Sequence, residues 1–208
     1  MKQEQRYIED IAEIRSMMER SSKFLSLSGL AGIIVGIYAL VGTYIIYQIF
    51  NFHPESILSG EMQSESSSSQ SSKVYLLGLG MLVLAVGTAV YLSAKKAAQK
   101  GEKAWNASSR RLLVQMAVPL LAGGILILIL LAKGMIGSIA PLTLIFYGIA
   151  LFNAGNFTYR EVKSLGIIEI ILGLAAAYFM QYGLVFWAIG FGAFHIVYGI
   201  YMHFRYER

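Results

Sequence analysis

Long uncharged stretches dominate the pattern of polar and apolar positions along this chain. Five of them contain no Lys, Arg, Asp or Glu: 24–54, 74–94, 112–132, 134–159 and 170–204. A helix needs about 20 apolar residues to cross the roughly 30 Å hydrocarbon core of a bilayer. The last stretch is too long for one crossing and is divided by the polar turn 181–183. The pattern therefore predicts an all-α integral membrane protein with six transmembrane helices.

The predicted helices are separated by two longer connections and by short turns. The first connection, 51–73, is rich in serine and has no apolar side chain to bury between 64 and 72. We therefore expect a mobile loop that serves as a solvated connector or a recognition tail. The second, 95–111, is basic. Within a membrane domain of residues 24–204 the six spans are expected at about 24–50, 74–94, 112–132, 138–157, 164–180 and 184–204.

The basic residues indicate which way the helices face. Six crossings place both termini on one side of the membrane, and 15 of the 17 Lys and Arg residues lie on that side. Cytoplasmic loops carry the excess of Lys and Arg, so both termini are predicted to be cytoplasmic and the 51–73 loop to be outside. We interpret the 95–111 loop as a topology signal that also contacts anionic lipid, and not as a nucleic-acid site.

The N-terminal segment 1–22 has a different pattern. Its apolar side chains recur at three- and four-residue steps, which predicts a cytosolic amphipathic helix before the first span. This helix either lies on the membrane surface or packs on the protein itself, or it docks onto a cytosolic partner protein. The residues of its apolar face are Tyr7, Ile8, Ile11, Ile14, Met17 and Met18.

Glycines recur at fixed spacing in the predicted spans. Small residues let helix backbones approach each other in lipid, where the hydrophobic effect does not drive helices together. The second, fourth and sixth helices each have two glycines seven residues apart, and the first has a pair four apart; we expect all eight to be packing positions. They are Gly80 and Gly87, Gly148 and Gly155, Gly192 and Gly199, and Gly32 and Gly36. The repetition predicts three helical hairpins, each formed by an odd helix and the even helix that follows it.

Two stretches near the ends of the chain carry a resemblance. YIEDIAEIRSMMERSSKFLSLSGLAGI and GLVFWAIGFGAFHIVYGIYMHFRYE are similar to a group of uncharacterised six-helix inner-membrane proteins of Bacteroidetes. The repeated two-helix units also resemble, in architecture, the HdeD-type acid-resistance membrane proteins. These resemblances imply the bacterial inner membrane and a role in envelope stress or regulation, and they supply no catalytic motif.

Polar side chains inside the predicted spans form the candidate site. Glu169 is the one charged residue within a span, and His195 lies on the next helix at a depth that differs by roughly 5 Å. We expect the two to approach each other in the cytoplasmic half of the membrane, together with Asn153, Asn156 and Gln115. Such a cluster is either a proton-responsive site at the inner end of a polar pathway, or a hydrogen-bond network that fixes helix packing.

Other kinds of site find little support. The chain has no cysteine, which excludes disulfides and thiolate ligands, and it has only three histidines. We predict no enzymatic activity, no cofactor and no metal site. Two functions remain open: a non-enzymatic membrane protein that acts through protein or lipid contacts, with a homo-oligomer as one arrangement, and a small proton-coupled transporter or channel that uses Glu169 and His195.

Overall fold

The computed structural model describes residues 23–49 and 66–207, with side chains from residue 72 onward in the second range. Seven α-helices occur in these residues: α1 (Gly29–Tyr44), α2 (Ser66–Gln99), α3 (Ala107–Ala132), α4 (Ile139–Ala154), α5 (Arg160–Tyr178), α6 (Gly183–Trp187) and α7 (His195–Tyr206). A π-helical turn extends α1 over Ile45–Ile49, and another, Ala188–Phe194, joins α6 to α7. The described residues contain no strand, which confirms the all-α class for that part of the chain.

Among the described residues, five helical stretches are long and apolar enough to cross a membrane. They are Gly29–Ile49, Ser72–Gln99, Ala107–Ala132, Ile136–Ala154 and Met180–Tyr206. The last of these contains α6, the π-helical turn and α7 as one continuous helix. α5 is not among the five because Arg160, Glu161, Lys163 and Glu169 interrupt its apolar character. The chain is therefore a helical protein with several candidate membrane spans.

α2 is longer at both ends than the sequence predicted. It begins at Ser66, inside the serine-rich stretch that we expected to be mobile, and it continues to Gln99, inside the predicted 95–111 loop. Once a helix is formed, each further residue adds a hydrogen bond at little entropic cost, so an apolar span extends readily into polar sequence. The rest of the outer loop, 50–65, and the predicted amphipathic helix 1–22 lie outside the described residues.

The connection between α2 and α3 is correspondingly short. Asn106 caps α3: its side chain accepts a hydrogen bond from the Ser109 N–H at 2.8 Å, and the Ser109 hydroxyl accepts one from the Asn106 N–H at 2.9 Å. This reciprocal capping box satisfies two backbone donors at the helix start. The predicted basic loop is thereby reduced to residues 100–106.

Two helix pairs approach most closely through glycines. A Cβ added at Gly148 of α4 would lie 2.7 Å from the carbonyl oxygen of Gly166 in α5. A Cβ at Gly199 of α7 would lie 2.6 Å from the carbonyl oxygen of Gly29 in α1. Neither distance leaves room for a side chain, so these glycines permit backbone contact between α4 and α5 and between α1 and α7. Close backbone contacts through glycines therefore join the fourth helix to the fifth and the first to the last. α3 and α4, which form one of the predicted hairpins, also pack against each other.

The remaining predicted packing glycines divide into two groups. Gly32, Gly36, Gly155 and Gly192 also lie in helix contacts: an added Cβ would meet the neighbouring helix at 2.4–3.2 Å. Gly80 and Gly87 of α2, by contrast, have no atom within 4 Å of an added Cβ. For these two the expectation of a packing position within the chain is wrong, because α2 contacts α1 with another face and leaves this one open.

An extended segment, residues 23–28, lies across one end of the bundle, although the sequence predicted it as the start of the first span. We call it the strap. The Phe24 N–H donates to the Phe157 carbonyl at 2.8 Å, and the Thr158 hydroxyl donates to the Phe24 carbonyl at 2.7 Å. Lys96 of α2 donates to the Leu27 carbonyl at 2.6 Å. The strap thus ties α1 to the α4–α5 turn and to α2.

Candidate functional site

Glu169 lies in the middle of α5 and is completely buried, with 0% of its surface exposed. Neither of its carboxyl oxygens has a hydrogen-bond partner among the described residues. A buried polar group without a hydrogen bond is costly, and a lone buried charge is far more so. Burial of Glu169 at this position therefore costs folding free energy, and helix packing alone does not explain why a carboxyl is present here.

The wall beside the Glu169 carboxyl is formed by Gly190, in the π-helical turn Ala188–Phe194. A Cβ added at Gly190 would lie 2.5 Å from Glu169 Oε2 and 2.7 Å from Leu144 Cδ2. Glycine is thus needed at 190 for the carboxyl to lie against the helix backbone. π-helical turns are rare and occur frequently at functional sites, because they displace the backbone carbonyls of a helix from their usual positions.

His195 follows this turn and completes the site. Only 4% of its surface is exposed. Its Nδ1 lies 3.0 Å from the Gly190 carbonyl oxygen and 3.3 Å from Glu169 Oε1. Its Nε2 lies 3.0 Å from the Tyr147 hydroxyl of α4. Because a carbonyl can only accept, Nδ1 carries a hydrogen, which both Gly190 and Glu169 approach.

The pair formed by Glu169 and His195 can be neutral overall in two ways. Either a neutral carboxylic acid faces a neutral imidazole, or a carboxylate faces an imidazolium ion. Both forms hold the same number of protons, and both avoid a net charge in surroundings of low polarity. The arrangement can hold one exchangeable proton, on the Glu169 carboxyl in the first form and on His195 Nε2 in the second, because Nδ1 keeps its hydrogen towards Gly190 in both.

Aromatic rings fix the orientation of the imidazole. The Phe191 ring stacks on that of His195 with 5.7 Å between centroids and an angle of 18°. Tyr147 lies on the same Phe191 ring at 4.9 Å, and Trp187 contacts it from the preceding turn, also at 4.9 Å. The imidazole plane is thereby held so that its two nitrogens point to different partners.

The other three predicted site residues lie elsewhere. Asn156 is exposed in the turn after α4 and accepts a hydrogen bond from Lys163 at 3.3 Å. Gln115 is exposed on α3, and Asn153 is half-buried in the last turn of α4. Within the described part of the chain, no hydrogen bond joins any of them to Glu169 or His195. The structure brings together two of the five predicted residues.

Tyr147 and Gly190 were missed by the sequence reasoning. Tyr147 stands beside the packing glycine Gly148, where an aromatic residue in an apolar helix is indistinguishable from an ordinary core residue. Gly190 falls outside the seven-residue glycine spacing, and no pattern in the sequence marks the π-helical turn that contains it. Only tertiary contacts give these residues their role: Gly190 lies against Glu169 of α5, and Tyr147 of α4 reaches His195.

A second polar cluster lies at the strap end of the bundle, around Glu207. Glu207 Oε1 accepts hydrogen bonds from the Gly29 N–H at 2.8 Å and from Lys96 at 2.9 Å. Its Oε2 lies 2.6 Å from His203 Nδ1. Burial acts to raise the pKa of Glu207, but the hydrogen bonds from His203, Lys96 and Gly29 outweigh it and lower this pKa to about 2. Glu207 is therefore a carboxylate at neutral pH and caps α1 from the far end of the chain.

Metal binding has no support from this geometry, since the described residues contain no group of three His, Asp or Glu side chains able to hold a metal ion. No protein-family model, curated protein or solved structure matches this chain. The function is therefore inferred from the residues themselves, and the buried Glu169–His195 pair is the feature with the clearest chemistry.

Proposed function

We propose that this chain is a non-enzymatic multi-pass protein of the bacterial inner membrane in which the Glu169–His195 pair binds a proton. Protonation of the pair would alter the helix packing around it and hence the contacts of the protein with lipids or other proteins. The observation that carries the proposal is the Glu169 carboxyl, which is fully buried and has no hydrogen bond but lies 3.3 Å from an imidazole.

The proposed topology has six crossings, with α5 as the crossing that hydropathy alone does not identify. α5 has 19 residues and packs along α4 through close glycine contacts. Three of its charged residues lie in the first turn, at the end near the strap, so only Glu169 is placed at depth. With six crossings, the distribution of Lys and Arg favours cytoplasmic termini.

The proposed mode of action is through contacts. The apolar side chains exposed on α2 and α3 fit a lipid bilayer or a second copy of the chain as neighbours, and residues 1–22 fit a cytosolic partner protein. The resemblance to bacterial stress proteins favours a role in envelope stress or regulation. No cofactor and no nucleic acid takes part in the proposal.

The test is an infrared titration of the protein in lipid nanodiscs. Protonation of a buried carboxyl produces a C=O stretching band that Glu169→Gln removes. The matched control is Glu161→Gln, because Glu161 is a carboxyl on the same helix but partly exposed, with 22% of its side chain accessible. We expect the band in the parent protein and in the control, and its loss in Glu169→Gln. A spectrum without any band that depends on Glu169 at any pH would contradict the proposal.

A second candidate function is proton-coupled transport through the same pair. The observation that favours it is the π-helical turn beside Glu169, because π-helical turns occur frequently at functional sites. Flux of protons and small solutes in proteoliposomes, measured with Glu169→Gln and His195→Ala, separates the two functions. Absent flux, or flux that both variants leave unchanged, would remove the transport hypothesis.

The proposed cytosolic contact has its own experiment. Affinity capture from the native membrane is compared between the full chain and a chain without residues 1–22. We expect the full chain to retain a partner that the shortened chain loses. Identical sets of captured proteins would exclude residues 1–22 as the contact.

A further inference from the structure

We propose that the connection between α2 and α3 binds the headgroup of an anionic phospholipid, whose acyl chains lie on the exposed apolar faces of these two helices. The partner is one class of molecule, a bilayer phospholipid with a net negative charge. This inference rests on the membrane location in the proposed function, and it does not depend on proton binding by the Glu169–His195 pair.

α2 and α3 each leave most of their surface uncovered. Within the described residues α2 packs along α1 and α3 packs along α4, and no other helix packs along either of them. Both helices consequently contain runs of three consecutive exposed residues, 82–84 in α2 and 120–122 in α3. Such a run spans about 200° of the circumference of a helix. Both faces are therefore open to lipid over most of their width.

Several cations at the connection have no counter-charge. Lys96 pairs with Glu207, and Lys100 donates to a carbonyl of the strap. The one acid between residues 95 and 111, Glu102, accepts a hydrogen bond from a hydroxyl of the strap at 2.8 Å. Four exposed cations remain for which the described part of the chain provides no ion pair: Lys95, Lys103, Arg110 and Arg111. The connection is thus a positively charged surface that fits an anion.

The position of Arg110 and Arg111 in α3 does not serve the helix itself. Both lie in the first turns of α3, and the first turn contains no acidic residue. The helix dipole places positive charge at this end, so cations here destabilise the helix. An anionic partner offsets this cost, and arginine is the side chain that forms paired hydrogen bonds with a phosphate group.

An exposed apolar stripe runs along α3 from the arginines into the predicted span. Positions 111, 114, 118 and 121 are spaced by three and four, so they share one helix face. The apolar members of this face are all more than half exposed: Val114, Val118 and Leu121. From residue 111 to residue 121 the helix rises about 15 Å, half of the roughly 30 Å hydrocarbon core. The stripe therefore has the length of one lipid leaflet.

α2 and the connection repeat this order of charge and apolar surface. On α2 the exposed Tyr91 lies one turn below Lys95, on the same face. In the connection Trp105 is 68% exposed and directly precedes the α3 cap. Tryptophan and tyrosine are enriched where the bilayer meets water, with their rings among the headgroups. Cations above exposed apolar and aromatic side chains match the order of phosphate and acyl chain in a phospholipid.

The experiment measures lipid binding by native mass spectrometry of the full chain in detergent. The protein is titrated with phosphatidylglycerol or with phosphatidylcholine of the same acyl chains, which differ in net headgroup charge. The test variant combines Arg110→Gln with Arg111→Gln. The matched control combines Lys73→Gln with Lys133→Gln, which removes the same charge from exposed positions at the other ends of the apolar stretches of α2 and α3.

We expect the parent protein to bind phosphatidylglycerol at least about tenfold more tightly than phosphatidylcholine. One Lys or Arg near an anionic lipid surface contributes about fivefold in affinity, so the double arginine variant should lose about tenfold or more for phosphatidylglycerol. Its affinity for phosphatidylcholine should stay unchanged, and the lysine control should match the parent for both lipids.

Three results would overturn the lipid site. The first is equal affinity of the parent for the two lipids, or equal losses in the arginine variant and the lysine control. The second is displacement of the lipid by glycerophosphoglycerol, the headgroup without acyl chains, since a soluble anion would then be the partner. The third is a lipid-free dimer as the main species, with a second copy covering the faces. The Glu169 infrared band is measured separately, so its absence would refute the proton-binding function and leave the lipid site standing.

Discussion

Replacement of Glu207 by Gln tests how the two ends of the chain hold the bundle closed. Glutamine keeps the size and one accepting oxygen but removes the charge that faces Lys96 and the Gly29 N–H. The pKa of Glu207 falls from 4.5 to about 2 in the folded protein, which corresponds to at most about 3 kcal/mol of stability. Because solvent screens part of this interaction, we expect Glu207→Gln to lower the free energy of unfolding by about 1–3 kcal/mol at neutral pH.

The pH dependence has a definite sign. A carboxyl with a lowered pKa stabilises the fold fully above pH 4.5, and this stabilisation disappears as the pH falls from 4.5 towards 2. Thermal unfolding in detergent, followed by the loss of helical circular dichroism, should therefore show a parent protein that is more stable than Glu207→Gln at neutral pH and equal to it near pH 2. A difference that stays constant over this range would refute the electrostatic explanation. The double variant with Lys96→Gln provides the control, because partners in one interaction give non-additive losses.

Three further predictions use the same unfolding measurement. Gly199→Ala should lower the free energy of unfolding by about 1–3 kcal/mol, because the added Cβ would lie 2.6 Å from backbone atoms of α1. Gly87→Ala has open space around it and should not lower this free energy, and equal effects of the two changes would contradict the packing described for α1 and α7. Thr158→Val should lower the free energy of unfolding by about 1–2 kcal/mol, because it leaves the Phe24 carbonyl without its buried donor. The Thr143 hydroxyl bonds only within its own helix, so Thr143→Val should lower this free energy by less. Asn106→Ala should lower the free energy of unfolding by about 1 kcal/mol, because the α3 cap is lost. The control is Asn156→Ala, which changes an exposed side chain and should leave the free energy of unfolding nearly unchanged.

The helical class was predictable because it depends on the hydropathy of long stretches of sequence, and this can be read from each residue without knowing its partners in the fold. The approach of Glu169 to His195 was also foreseeable from two facts: consecutive helices joined by a short turn are neighbours, and the two residues lie at similar depth. In the structure His195 Nδ1 lies 3.3 Å from Glu169 Oε1, whereas the use of this pair by the protein remains a prediction.

The partners of the glycines could not be predicted, because a glycine spacing describes one helix face and says nothing about which helix meets it. Gly87 and Gly155 have the same seven-residue relation to another glycine, yet only Gly155 touches a neighbouring helix. The strap was likewise hidden, since apolar residues such as Phe24 fit a helix or an extended segment equally well. Its conformation depends on hydrogen bonds from residues far along the chain, such as the one from Thr158, which is 134 positions from Phe24.

The glycine contact between α1 and α7 has a consequence for how the protein is made. α1 is translated before the other described helices, whereas α7, against which its glycines pack, is translated after them. Until α7 is made, the Gly29–Gly36 face of α1 lacks its partner helix, whereas α4 and α5 are already present to pack through their own glycines. A chain that lacks residues from 192 onward therefore leaves the glycine face of α1 without the helix that covers it, and such an exposed face favours misassembly.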